Sequence, residues 1–278
     1  MYVPCANQTL NLVVVDSAKS STDALTFFGV LTRLYVLFSS LVQHWSILKK
    51  HAELSVKSQS DTRWKTRINC IRPLRYYLKD ASAALQDLED FCVEKGDGKT
   101  ASESKSLIAQ LSSWRFLLSI LIWHDVLFQV NKTSKILQSY GVWLHIMETE
   151  IKATETFLQN YNENGYSNAV KSALPIDELD IDPVFPQQRT GKKKCLITRV
   201  KMHLTKLVQK EIKTNLFLQL VDHALMSIQD GFKLTHGVAA VFSFHTRLTF
   251  TSPCRLTRCQ KFEEKLCDVD PGEMAMNW

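Results

Sequence analysis

The sequence predicts a mainly α-helical protein, and three observations predict it. Apolar residues recur at steps of three and four over most of the chain, the spacing that gathers them on one helix face. Glycine and proline number only 9 and 7 in 278 residues, few for the turns of a sandwich or barrel. Hydrophobic residues make up 45% and aromatics 10%, enough for a sizeable core.

The elements follow in chain order. Cys5 to Asp16 is a short apolar run in which periodicity leaves helix and strand both open. Thr22 or Asp23 is placed to cap a helix whose face is Leu25, Phe28, Leu31, Leu34, Tyr35, Phe38, Leu41, Val42 and Trp45. Lys49, Lys50 and His51 suit its C-terminus, where the macrodipole favours cations. Residues 55–61 read as a polar loop, and Asp61 and Thr62 offer an N-cap for a helix starting at Arg63 or Trp64. Pro73 is expected to kink or restart that helix, and the stripe Leu74, Tyr77, Leu78, Ala81, Leu85, Leu88 carries it to about Phe91. Gly96 to Ser106 reads as a linker by composition.

Two long helical patterns follow between residues 106 and 164, one through Leu107, Leu111, Trp114, Leu117 and Leu121, the other through Trp143, Ile146, Met147, Ile151 and Phe157. Residues 162–205 turn polar, acidic at Asp177 to Asp182 and basic from Arg189 onward, and read as an exposed, partly disordered connection. A last helix is expected from Glu211 to Phe232. The domain division is therefore an N-terminal helical part over 1–165, a polar and basic linker over 166–210, and a C-terminal part over 211–278.

A net charge of +6 permits a polyanionic partner, although a bulk excess does not say whether the cations share a face. Seven scattered cysteines at irregular spacing argue against a disulfide framework and suit a reducing compartment. No secretory signal pattern opens the chain. The apolar windows Ala24–Leu48 and Leu111–Val130 carry Arg33, Arg115, His124 and Asp125, which are costly at a bilayer centre, so a soluble intracellular protein is expected. P-loop, dinucleotide and serine-nucleophile patterns are absent, as are repeats of known period. His124–Asp125 and Asp222–His223 are neighbours in sequence, and side chains so placed diverge on a helix, so neither is expected to act as a dyad. Neither Cys5 with Gln8 nor Cys254, Cys259 and Cys267 has the spacing of a zinc site.

Several segments together resemble the hAT transposase superfamily, in particular its MYM-type zinc-finger and protein-kinase-inhibitor-repressor relatives. Cys5 to Asp16 is similar to the family's CxxH-LNL block, and Asp61-Thr62-Arg63-Trp64 to its TRW element, followed by Arg72-Pro73-Leu74. Asn215 to Asp230 resembles its late helix, and Phe242 to Phe244 with Cys259 to Met276 the approach to its last acidic motif. The resemblance implies a helical insertion domain with the remnant of an RNase H-like α/β core and a few short strands. It implies an ancestral chemistry in which three carboxylates hold two Mg²⁺ ions, because hard cations prefer oxygen ligands and the in-line attack clamps both oxygens.

This chain departs from that pattern. It begins four residues before Cys5, whereas the family's first two catalytic aspartates precede that block, and Gln8 stands where the family has histidine. Asp268, Asp270, Glu273 and Asn277 are the candidates for the third carboxylate, with Glu273 the doubtful remnant. The expectation is a truncated, catalytically inactive transposase-derived protein that has no cofactor of its own, keeps residual DNA binding and locates to the nucleus. A protein-interaction scaffold using exposed apolar helices, or a gene remnant with no function, is the alternative. Neither a membrane nor a small-molecule substrate is expected.

Arg63 and Trp64 are the leading DNA-binding candidates, since the resemblance puts this tryptophan against an extruded base; its competing role is a core tryptophan. Lys192, Lys193 and Lys194, with Arg189, suit a nuclear localisation signal or phosphate contact, and equally a solvated loop.

Overall fold

The computed structural model describes residues 5–51, 57–58, 64–139, 144–173 and 209–248, nearly all helical and none in a strand. The mainly α architecture is as the apolar spacing predicts. The run left open at the N-terminus is a helix, α1 (Ala6–Lys19). Its Val13, Val14 and Val15 are all buried because other helices pack on more than one side of α1, which erases any one-sided period.

The next helix is shorter than expected. Ser21, rather than Thr22 or Asp23, caps α2 (Thr22–Ser39) by accepting from the Ala24 N–H at 3.1 Å. The chain then bends by 111° into α3 (Val42–His51), where a single helix was predicted. The polar side chains at the corner explain the break. Ser40 Oγ donates to the Leu37 carbonyl at 2.8 Å, and the buried His44 Nδ1 lies 3.0 Å from the same oxygen. Leu41 and Val42, expected on the buried face, are thereby turned outward.

Helix α4 (Trp64–Lys95) begins at Trp64, as expected. Pro73 lies within it, and the non-helical residue is Tyr77 (φ −129°, ψ 34°), one turn later. Gly96, at φ 78°, ends the helix in the left-handed region where a side chain is disfavoured. The predicted linker over Gly96–Ser106 is instead mostly helix, α5 (Gly98–Leu111). Asp97 caps it through the Thr100 N–H at 3.1 Å, and Ala101, Ser104, Leu107 and Leu111 are all buried. A polar composition hid a stripe of small residues on a helical period.

Helix α6 (Trp114–Leu137), capped by Ser113, is buried over most of its apolar part, with Trp123 fully enclosed. Arg115, anomalous in an apolar window, pairs with Asp23 at 2.7 Å. Helix α7 (Leu144–Ala173) overruns the predicted connection, so residues 162–173 are helical; Ala169 and Ala173 are buried there. The rest of the 166–210 linker up to residue 208 lies outside the described residues. From Gln209 the chain is helical again, through a π turn (Lys213–Leu218) into α8 (Gln219–Leu248), beyond the Phe232 end predicted.

Helix α8 packs on α1 and α7, α6 on α7 and α4, and α4 on α5 and α3, around one hydrophobic core. No single helix among the described residues is long and apolar enough to cross a membrane.

Candidate nucleic-acid interface

The N-terminal half of α4 is cationic. From Trp64 to Lys79 it carries Lys65, Arg67, Arg72, Arg75 and Lys79 and no acidic residue. The carboxylates of this helix all come later, at Asp80, Asp87, Glu89, Asp90 and Glu94. Lys65, Arg72, Tyr76 and Lys79 are exposed, and the spacing of seven and four puts the first three along one face ahead of the break at Tyr77. Arg67 does something else: it is buried, with its guanidinium 4.3 Å from the centre of the Phe28 ring.

Arg75 turns inward to a polar cluster. Its Nη1 lies 2.8 Å from Asp125 Oδ1 and 2.9 Å from His124 Nδ1. An arginine can only donate, so His124 accepts at Nδ1 and carries its ring proton on Nε2. Tyr161, from α7, donates to the other carboxylate oxygen of Asp125 at 3.3 Å. Burial raises the Asp125 carboxyl, but the Arg75 guanidinium, 2.8 Å away, outweighs it and holds the group below its ordinary range. Burial, followed by the Asp125 charge, pushes the Tyr161 hydroxyl up, which keeps it a neutral donor.

This corrects the expectation that His124 and Asp125 diverge: His124 Nδ1 lies 3.5 Å from Asp125 Oδ1, and Arg75 meets both. Asp222, by contrast, takes a bond from Asn162 at 3.0 Å, while His223 is exposed.

Rings complete the surface. Tyr76 meets the His124 ring edge-on at 6.3 Å between centroids, and Phe128 stacks on it at 5.9 Å, with planes 16° apart. Tyr76 is 64% exposed and Phe128 57%, so His124 is held between two rings that face outward. Lys132 and Lys135 are exposed on α6, four and seven residues after Phe128 and so on its side of the helix. The break at Tyr77 lies against this cluster and leaves Tyr77 exposed beside Tyr76.

Of the residues singled out from sequence, Trp64 is the first described residue of α4, the helix of Arg72 and Tyr76. Its side chain lies outside the described residues, as do Arg63, Lys192, Lys193, Lys194 and Glu273 with the neighbouring Asp268, Asp270 and Asn277. Among the described residues no three His, Cys, Asp or Glu side chains stand together as they would around a metal ion. The acid-free run over Trp64–Lys79 was open to sequence inspection, as a charge count along α4. The meeting of Arg75, Asp125 and Tyr161 was not, because nothing local joins positions on three helices.

No family model, curated protein or solved structure matches the chain.

Proposed function

We propose that this chain is a catalytically inactive, transposase-derived helical protein that binds nucleic acid mainly through phosphate charge. The observation that supports it is the acid-free first half of α4, whose Lys65, Arg72 and Lys79 are exposed, together with the exposed Lys132 and Lys135 of α6, the helix that packs on α4. Lysines and arginines gathered on one side release counterions from a phosphate backbone, and the affinity so gained depends steeply on salt. Asp125, the one acidic residue of α6, is already paired with Arg75. The kinship itself rests on the ordered motifs around Cys5–Asp16, Asp61–Trp64 and Asn215–Asp230. Arg63, Trp64 and Lys192 to Lys194 belong to the same proposal, the last three also as a nuclear address.

Titrating labelled DNA with the full chain tests this. About five phosphate contacts predict a loss of affinity on the order of a hundredfold between about 50 and 200 mM salt. Absent or salt-independent binding sinks the proposal. Neutralising Lys192, Lys193 and Lys194 separates their share from that of α4. Excision of a marker from a plasmid by the chain alone would refute the inactive part.

A second reading, a scaffold for protein partners, is favoured by the α2–α3 corner, where Val36, Leu41 and Val42 are 56%, 52% and 88% exposed. Retention of a partner from extract by the native chain but not by Val42→Asp supports it, and equal retention by both removes it.

A further inference from the structure

We infer that the Tyr76–His124–Phe128 row is a stacking platform for unpaired bases, so that the preferred nucleic acid is single-stranded. The inference rests on the nucleic-acid binding proposed above and adds the strand class that the α4–α6 surface takes.

The geometry has two parts. Tyr76 and Phe128 present large exposed rings from two different helices, each set against the same buried His124 ring at 6.3 and 5.9 Å. His124 cannot swing away, since Arg75 holds its Nδ1 at 2.9 Å while Asp125 anchors Arg75 at 2.8 Å. The rings are therefore fixed to a rigid base, and little ordering remains to be done when a base stacks on them.

The second part is the charge around the rings. Arg72 precedes Tyr76 by one turn on α4, and Lys132 follows Phe128 by one turn on α6. An exposed aromatic row alone would suit an apolar protein face equally well. Bordered by Arg72 and Lys132, it suits a chain with alternating flat bases and phosphates. In a duplex the base faces are stacked on each other and out of reach, so only an unpaired strand uses the rings and the cations together.

Fluorescence anisotropy of the full chain with labelled oligothymidylate, oligouridylate and a blunt duplex of equal length tests this. The expected result is that both single strands bind about tenfold or more tighter than the duplex. Tyr76→Ala and Phe128→Ala should each weaken single-strand binding by about fivefold to a hundredfold, with duplex binding unchanged. Tyr76→Phe, which keeps the ring, should stay within about twofold of the native affinity. Both rings are more than half exposed, so the alanine variants are expected to keep the native helical circular dichroism and melting temperature. Equal affinity for duplex and single strand, or alanine variants that bind single strands like the native chain, overturns the platform while leaving nucleic-acid binding intact. Absence of binding to all three probes overturns both proposals.

Discussion

Arg75 and Asp125 form a partly buried ion pair, and such a pair has a definite signature in pH. The Asp125 carboxyl is held below its ordinary value in the folded state, so its contribution to stability is complete above about pH 3.9 and fades as the pH falls through the depressed folded value. Asp125→Asn should therefore destabilise the protein by about 1–2 kcal/mol near neutrality, the figure reduced because the pair is partly exposed. Urea denaturation at neutral pH and at about pH 2 checks this: the gap from the native chain should close in acid, and a gap unchanged by pH refutes it. The cysteines give a second residue-level test. Cys70 is buried, donates to the Lys57 carbonyl at 2.8 Å, and has its thiol pushed up to about 11 by burial. Cys92 is buried with its thiol raised for the same reason, whereas Cys5 is exposed. Alkylation near pH 8 followed by peptide mapping should label Cys5 before either. Labelling of Cys70 as fast as Cys5 would contradict the packing of α4.

At the scale of elements, the close approach of α1 and α8 is set by Gly231. A Cβ built there would meet Thr9 Cγ2 at 2.5 Å, and Thr9 is buried and β-branched, with little room to turn. Alanine at Gly231 gains about 1 kcal/mol of helix propensity but is expected to lose about 1–3 kcal/mol to overpacking. Thr9→Ala in the same chain should restore most of that loss. A Gly231→Ala variant that melts above the native chain would show that α1 and α8 are not held in contact here.

Apolar period correctly announced α2, α4, α6 and α7, because their faces are rows of large residues. It failed at α5, where Ala101 and Ser104 fill the buried positions and polar composition read as linker. It also ran α2 and α3 together, since Ser40 and His44 act on a backbone carbonyl that no side-chain pattern reports.

For the whole molecule, the helical class was legible in the sequence because burial of a helix face leaves its period in the residues. The candidate surface was legible only in half. The cations of α4 form a run in one stretch of chain, but the Tyr76, His124 and Phe128 row depends on how α4 lies against α6. The buried network from Arg75 through Asp125 to Tyr161 and on to Phe217 of the π turn, at 5.5 Å, spans four elements and has no local signature at all. It holds α4 in register with α6 and α7, and so places the exposed rings and cations together.

The proposed contact of the first half of α4 with phosphate is tested most directly by the salt dependence of oligonucleotide affinity for the native chain and for the double variant Lys65→Gln, Arg72→Gln. Loss of two phosphate contacts predicts that the slope of log affinity against log salt becomes shallower by about 1.5. A double variant that binds with the native slope, in a chain with the native helical content, would contradict it.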